Sequence, residues 1–216
     1  MVDATNIDEA VAILKRAVRP WRVPIVGQYR HDPFETLISC LLSLRTKDAT
    51  TAAASAGLFR LARTPHAMLR LSPRRIERAI YPVGFYRTKA RTILAVSRAL
   101  VERHGGRVPG DIEALLELKG VGRKTANLVV TLAFRKYGIC VDTHVHRISN
   151  RWGYVRTKSA HETEMRLRER LPRKYWRTYN DLLVAFSQNL CQPTSPWCSS
   201  CPLEGLCGRV GVTRSR

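Results

Sequence analysis

Apolar residues recur at helical spacing along most of the chain. Near the N-terminus, Ile7, Val11 and Leu14 lie on one stripe, and Asn6 stands where a capping side chain would open the helix. No pair of segments shows the alternation of apolar and polar residues that a half-buried strand requires. The sequence therefore predicts an all-α protein. Helices are predicted over Ile7–Val18, Phe34–Leu42, Asp48–Phe59, Tyr86–Arg103, Asp111–Leu118, Arg123–Phe134, Thr143–Trp152 and Tyr175–Leu190, with shorter ones after Thr64, Ser72 and Ser159.

Capping residues and prolines mark where several of these helices begin. Asp32-Pro33, Thr64-Pro65 and Ser72-Pro73 each place a capping residue before a proline of the first helical turn. Ser159 and Glu162 have the spacing of a capping box. These signals agree with the apolar pattern, so we expect separate helices joined by short turns.

The chain is strongly basic. Of its 216 residues, 37 are Lys or Arg and 17 are Asp or Glu, which gives a formal net charge of +20. The excess is spread along the chain, whereas a membrane-surface protein would concentrate it in an amphipathic terminal helix. Between Arg60 and Arg107, twelve basic residues stand against two acidic ones. Because each neutralised phosphate releases condensed counterions, this distribution favours a nucleic acid partner.

The apolar content allows one compact domain or two small interlocked ones, since 44% of the residues are hydrophobic. No apolar run approaches the roughly 18–20 residues that a membrane span needs. The N-terminal sequence Met-Val-Asp-Ala-Thr-Asn lacks the basic and apolar regions of a secretory signal. We therefore expect a cytoplasmic protein.

A glycine-bounded turn separates two of the predicted helices, in the sequence Leu-Lys-Gly-Val-Gly-Arg-Lys-Thr-Ala from Leu118. We expect a turn too tight for a side chain at either Gly120 or Gly122. The amides that open the next helix lack intrahelical acceptors and lie at the positive end of its dipole, where a phosphate can bind. The alternative is a plain helical corner whose glycine is only a C-cap. The basic residues that follow favour the phosphate site.

Four of the six cysteines crowd together near the C-terminus. In a chain without a secretory signal, they do not indicate a disulfide framework. Four thiolates suit a tetrahedral zinc ion or a four-iron cluster equally well, and the Cys-x2-Cys spacing alone favours zinc. Cys40 and Cys140 stand alone in apolar stretches, and we expect them to be small buried residues. The four are Cys191, Cys198, Cys201 and Cys207, separated by six, two and five residues.

Three motifs together resemble the endonuclease III family of DNA glycosylases, which contain a helix-hairpin-helix motif and an iron–sulfur cluster. They are Leu-Lys-Gly-Val-Gly-Arg-Lys-Thr-Ala-Asn from Leu118, Val-Asp-Thr-His-Val-His-Arg from Val141, and the Cys-x6-Cys-x2-Cys-x5-Cys pattern. The resemblance extends over nearly the whole chain. It implies two helical lobes: a six-helix barrel-like domain with the helix-hairpin-helix at residues 23–136, and an iron–sulfur cluster domain built from residues 1–22 and 137–216. It also implies that the four cysteines bind a [4Fe-4S] cluster.

The resemblance assigns catalytic roles to two residues. Lys124 matches the lysine that forms a Schiff base with the sugar, and Asp142 matches the aspartate of the Val-Asp-Thr-His motif. An amine at a helix N-terminus, near Lys119 and Arg123, is more easily neutral and nucleophilic. A carboxylate can balance the developing positive charge or relay protons. Taken alone, Lys124 would be interpreted as a surface or phosphate-contacting lysine and Asp142 as a helix N-cap.

Other residues are expected to contact DNA. A base inside a duplex cannot reach Lys124, so the nucleotide must be flipped out and the gap filled. By position in the family, Arg45 and Phe85 match residues that are inserted into the duplex, although Arg45 could be an ordinary surface residue and Phe85 a core residue. Many relatives have glutamine in place of Arg45, and a proline is common at the position of Lys119. The remaining expected contacts are Lys119, Gly120, Val121, Gly122, Arg123, Thr125 and His144.

The implied function is that of a bifunctional DNA glycosylase and AP lyase in base excision repair. It would remove oxidised pyrimidines and cleave the strand by β-elimination. The expected partner is double-stranded DNA with damaged bases or abasic sites, bound by a monomer associated with the nucleoid. Two alternatives stay open: a glycosylase of the same fold that acts on mismatched or alkylated bases, and a non-catalytic DNA-binding module. The pair Lys124 and Asp142 argues against the module.

Overall fold

The computed structural model describes residues 1–21 and 32–216. Within these residues the regular structure consists of α-helices and short 3₁₀ helices, without a strand, which confirms the all-α prediction. None of the described helices is both long and apolar enough to cross a membrane. The α-helices are α1 Ile7–Val18, α2 Pro33–Ser43, α3 Asp48–Phe59, α4 Pro65–Leu69, α5 Pro73–Ile80, α6 Tyr86–His104, α7 Ile112–Leu116, α8 Arg123–Leu132, α9 Thr143–Arg151, α10 Ala160–Arg170 and α11 Tyr179–Asn189.

The predicted cap-plus-proline signals begin helices as expected. The side chains of Asp32, Thr64 and Ser72 each accept a hydrogen bond from the backbone N–H three residues later, and a proline follows each of them in the first turn. Asp111 caps α7 in the same way, through the N–H of Ala114. Local sequence signals therefore account for the start of four helices, α2, α4, α5 and α7.

Two helix starts differ from the prediction. Asn6 precedes α1, but its side chain accepts a hydrogen bond from the Asp3 N–H and donates one to the Met1 carbonyl, so it organises the N-terminal turn and does not cap the helix. The segment predicted as one helix from Tyr175 is a 3₁₀ helix, Arg173–Tyr175, followed by α11. The Tyr175 hydroxyl donates to Asp8 of α1, a contact between distant parts of the sequence that periodicity cannot show.

The Ser159 capping box is formed in part. The Ser159 hydroxyl accepts from the Glu162 N–H at 3.2 Å, as the motif predicts. The Glu162 carboxylate accepts from the N–H of Lys158, one residue before the N-cap, instead of from Ser159 itself. The start of α10 is nevertheless where the pattern places it.

The chain divides into two compact units, and the first joins both ends of the sequence. It contains Met1–Pro24 and Tyr137–Arg216. Its core packs α1, α9, α10 and α11 around fully buried aromatic side chains, among them Trp152, Tyr179 and Phe186. The N–H of Val2 donates to the Trp152 carbonyl at 3.1 Å, which fastens the N-terminal segment to the end of α9. The predicted boundary between residues 22 and 23 lies outside the described residues.

The second unit, Ile25–Lys136, is built around α6. Within its described residues it contains α2 to α8, of which α4 and α7 have only five residues each. Helices α2, α4 and α5 pack against α6, and α8 packs against α2 and α7. Cys40 is buried in α2, and Cys140 is buried in the first unit, as predicted for both.

Candidate DNA-binding and active site

The glycine turn between α7 and α8 forms a helical hairpin in the second unit. Leu118 and Val121 are buried, and the Val121 N–H donates to the Leu118 carbonyl at 2.9 Å. Gly122 is the N-cap of α8, so no side chain caps that helix. The hairpin is thus anchored by two apolar residues, and the positive end of the α8 dipole begins at a residue without a side chain.

The two glycines of the hairpin differ in whether the protein leaves room for a side chain. Gly120 has φ of +85°, and a Cβ atom there would lie 2.7 Å from Cγ2 of Thr92, so both backbone and space exclude a side chain, as predicted. Gly122 does not fit the prediction: its φ of −97° is ordinary, and a Cβ would meet nothing within 4 Å. Crowding within the protein therefore does not explain Gly122.

Two residues of the expected DNA contact are turned into the protein. The side chains of Val121 and Thr125 are 6% and 2% exposed. Their side chains therefore belong to the packing of the hairpin, and any contact with DNA has to come from main-chain atoms. Lys119 differs from them, because it is exposed and lines a groove on α6 together with Arg91, Arg98 and Arg103. Glu102 and Glu117 also line the groove, so its basic residues outnumber its acidic ones by four to two and it carries net positive charge beside the hairpin.

Lys124 is the second residue of α8, directly after the glycine turn. Its positive charge affects the pKa of the Cys40 thiol in α2. Burial raises that pKa to about 12, and the charge of Lys124 opposes the rise. The amine therefore lies near the C-terminal half of α2. Helix α2 ends at Ser43, and the turn that carries Arg45 follows at once.

Arg45 and Phe85, the two predicted wedge residues, lie at the tips of two neighbouring turns. Both have left-handed backbone conformations, with φ of 53° and 58°, which non-glycine residues seldom adopt. Both side chains are exposed, and the Arg45 guanidinium lies over the Phe85 ring at 5.7 Å from its centroid. The structure therefore brings the two together on the surface; Phe85 does not belong to the core.

Asp142 belongs to the first unit, where it is the N-cap of α9. One carboxylate oxygen, Oδ1, accepts hydrogen bonds from the N–H groups of His144 and Val145, each at 2.9 Å. The capping interpretation of this residue is therefore correct. Two hydrogen bonds to one oxygen also fix the orientation of the carboxylate, which a catalytic group requires.

His144 is part of a hydrogen-bonded group behind Asp142. Its Nδ1 lies 2.6 Å from the Ser187 hydroxyl of α11, and the Arg147 guanidinium donates to the same hydroxyl. Arg147 also donates to the Cys191 carbonyl at 3.0 Å. The start of α9 is thus tied to α11 and to the first residue of the cysteine segment.

The four cysteines line one cavity in the first unit. The walls of the cavity include the apolar side chains of Trp152, Phe186 and Leu190. The Arg151 guanidinium lies 3.5 Å from the Cys191 sulfur, and the Arg209 N–H donates to the Cys207 sulfur at 3.4 Å. Such donors stabilise thiolate ligands.

The four thiols are near neighbours. They lie close enough that Cys191, Cys198 and Cys207 each influence the titration of Cys201, whose pKa burial raises to about 11. In the described residues, no three His, Cys, Asp or Glu side chains converge as the ligands of a single metal ion do.

Three basic residues that the sequence patterns did not single out support these sites. Arg147 and Arg151 stand four residues apart on one face of α9, and both donate to the cysteine segment. Lys89 occupies a position in the buried stripe of α6 and is itself buried. The sequence contains two signals that point to these residues. Lys89 interrupts an apolar helical stripe, and Arg147 and Arg151 have the spacing of one helix face.

Known proteins with similar sequences and folds act in DNA repair. Residues 38–173 match the family model described as HhH-GPD superfamily base excision DNA repair protein. Endonuclease III of Thermotoga maritima is 47% identical over 176 residues, which cover 82% of this chain and 83% of that protein. Two solved structures, a non-covalent endonuclease III–DNA complex and a trapped endonuclease III–DNA covalent intermediate, share 35% identity, cover 96% of each chain and superpose with a TM-score of 0.86.

The family model covers the hairpin and ends before the cysteine segment, whereas the structural similarity covers 96% of the chain and agrees with the all-helical structure. The chain therefore belongs to the HhH-GPD superfamily of base excision DNA repair proteins and, within it, to the endonuclease III family of DNA glycosylases with AP lyase activity.

Proposed function

We propose that this protein removes oxidised pyrimidines from double-stranded DNA with Lys124 as nucleophile and Asp142 as its acidic partner. The observation that carries the proposal is the position of Lys124. It follows a glycine turn whose helix has no side-chain cap, so the amine stands beside a site built for a phosphate. A solved endonuclease III structure contains a covalent protein–DNA intermediate, which supports a covalent mechanism here.

In the proposed reaction the neutral amine of Lys124 attacks C1′ of the flipped nucleotide. The glycosidic bond breaks, and the base leaves with its electron pair and takes up the proton that the lysine nitrogen gives up. The C1′–O4′ bond then breaks, O4′ takes up a proton from solvent, and a protonated Schiff base forms between C1′ and the lysine nitrogen. Removal of a C2′ proton then expels the 3′ phosphate by β-elimination, and water releases the sugar from the lysine. The Asp142 carboxylate balances the positive charge that develops on the sugar.

The proposed DNA contacts follow the geometry of the hairpin and the two turns. The amides at the start of α8 would bind a backbone phosphate, which explains why Gly122 lacks a side chain although the protein leaves room for one. Lys119, Arg123 and the exposed edge of His144 would add contacts to phosphates. Arg45 and Phe85 would fill the gap left by the flipped nucleotide.

We further propose that Cys191, Cys198, Cys201 and Cys207 bind a [4Fe-4S] cluster with a structural role. The shared cavity and the donors of Arg151 and Arg209 support it. Base excision transfers no electrons, so the reaction assigns the cluster no redox step. We expect the protein to be a monomer. Because its proposed substrate is chromosomal DNA, we also expect it to associate with the nucleoid.

The Schiff base is tested by borohydride trapping on duplex DNA with an oxidised pyrimidine. Lys124→Ala should give no covalent adduct while it still binds the DNA, because only the amine forms the bond. Lys119→Ala is the matched control: it removes one positive charge from the same hairpin, so it should bind more weakly yet be trapped at saturating protein. An adduct with Lys124→Ala would contradict the assignment.

The two roles of Asp142 can be separated by substitution. Asn caps a helix about as well as Asp, whereas Ala loses the cap at a cost of about 0.5–2 kcal/mol in the free energy of unfolding. Asp142→Asn should therefore keep the stability of the wild type but lose activity by roughly 10²–10⁴-fold. Asp142→Ala should lose both. Thermal unfolding and single-turnover base release measure the two effects, and an active Asp142→Asn variant would leave only the capping role.

The hairpin glycines should separate folding from DNA binding. Gly120→Ala should lower the free energy of unfolding by about 1–3 kcal/mol, because the backbone is left-handed and Thr92 lies in the way. Gly122→Ser should fold normally, since its backbone suits an N-cap serine. Its hydroxyl would compete with the phosphate, so duplex affinity should fall by about tenfold, or 1.4 kcal/mol. Wild-type affinity for Gly122→Ser in a titration at fixed salt would refute the phosphate site.

The metal content tests the cysteine assignment. Purified protein should contain iron and sulfide, with a visible absorbance band that a zinc site would not give. Cys198→Ser should lose the band and iron, whereas Cys140→Ala, which changes a buried cysteine outside the cavity, should keep both. Stoichiometric zinc without iron would overturn the proposal.

A further inference from the structure

The two wedge turns have the same construction. In the first, the Thr46 N–H donates to the Ser43 carbonyl, and Arg45 is the third residue of the turn. In the second, the Tyr86 N–H donates to the Val83 carbonyl, and Phe85 is the third residue. That position favours glycine when φ is positive, so a large side chain there costs conformational energy. Such turns persist only when surrounding contacts determine them.

The two turns are also fastened to each other. The Gly84 N–H donates to the Thr46 hydroxyl at 3.2 Å. A Cβ atom on Gly84 would lie 2.7 Å from the Arg45 carbonyl oxygen, so the two backbones approach more closely than any other residue type would allow. The tips that carry Arg45 and Phe85 therefore form one surface unit.

Lys89 lies beneath this unit and binds three acceptors. Its ammonium donates to the Leu42 carbonyl at 2.7 Å, to the Leu44 carbonyl at 2.5 Å and to the Thr46 hydroxyl at 3.0 Å. The residue is 8% exposed, one turn into α6. Burial lowers its pKa to about 8, so it still carries its three donors at neutral pH. One buried amine thus joins the end of α2, the Arg45 turn and the helix that follows Phe85.

We propose that Lys89 is a positioning residue that sets the two wedge side chains in register for insertion into duplex DNA. The proposal rests on the wedge roles given above to Arg45 and Phe85. Lys89 is buried, so it does not itself contact DNA. It supplies the hydrogen bonds that the C-terminal carbonyls of α2 lack within the helix, and it satisfies them from α6. A displacement of the wedge side chains by about 1 Å is enough to slow a reaction roughly 10²-fold.

The wedge is needed only when a base must be taken out of a duplex, and this separates Lys89 from a merely structural residue. The experiment compares kcat/KM for strand cleavage at an abasic site in single-stranded DNA with kcat/KM for an oxidised pyrimidine in a duplex. Lys89→Met keeps the length of the side chain but removes its donors. We expect the duplex value to fall roughly 10- to 100-fold and the single-stranded value to change by less than about twofold.

Thr46→Val is the second variant, because it removes the hydroxyl that links Lys89 to Gly84 and leaves Lys89 in place. It should lower the ratio of duplex to single-stranded activity by a smaller factor in the same direction. A fluorescent adenine analogue opposite the lesion gives an independent signal: both variants should reduce the unstacking that accompanies wedge insertion. Met68→Ala, a buried substitution in α4 of the same unit, is the control for lost stability and should leave the ratio unchanged.

Phe85→Ala, measured on the same substrates, tests the wedge role of Phe85 separately from the positioning role of Lys89. If Phe85→Ala lowers the ratio and neither Lys89→Met nor Thr46→Val does, the positioning role of Lys89 is wrong and the wedge stands. If Phe85→Ala also leaves the ratio unchanged, the wedge assignment fails and Lys89 has nothing to position. Equal losses on both substrates for Lys89→Met, at temperatures where it is folded, would reduce Lys89 to a stabilising residue.

Discussion

The N-cap of α8 is a glycine, so no N-cap side chain binds the first amides of this helix. The DNA contact proposed for the hairpin depends on this feature. Most of the neighbouring helices start with a side chain that binds their first amides, as Asp32, Thr64 and Ser72 do. Helix α8, like α3 and α6, has no side-chain cap, and Leu118 and Val121 anchor its turn so that the backbone is presented at the surface. A phosphate can complete this helix start in a way that no residue of the hairpin does. Lys124 is the second residue of this helix, so in the proposed function the nucleophile stands beside the bound phosphate.

In the first unit, the main feature is the fixed orientation of the Asp142 carboxylate. Asp142 is held by two backbone N–H groups of α9, and α9 is in turn held at the cysteine segment by Arg147 and Arg151. A single helix therefore connects the carboxylate to the cavity that the four cysteines line. A cluster in that cavity would stabilise the end of α9 and α11 without taking part in the reaction.

The two wedge turns combine a strained backbone conformation with a buried polar side chain that stabilises it. Arg45 and Phe85 both adopt left-handed conformations that cost energy, and a buried lysine provides the hydrogen bonds that keep the turns in place. A buried amine with three acceptors is satisfied, whereas its removal would take one donor from each of two carbonyls, and the Leu44 carbonyl would keep only the Thr46 hydroxyl at 3.3 Å. The exposed Phe85 ring under the Arg45 guanidinium is the surface that this arrangement presents.

The sequence by itself determined the helical class, most helix starts, the hairpin and the family. These depend on local signals: apolar spacing, caps followed by proline, and short motifs of glycine and cysteine. Tertiary structure decided which side chain makes each contact. It showed that Asn6 does not cap α1, that Val121 is buried, and that Gly122 has room for a side chain. Lys89 reaches a carbonyl 47 residues away in the sequence, and no local pattern encodes such a contact because it exists only once α2 and α6 have packed together.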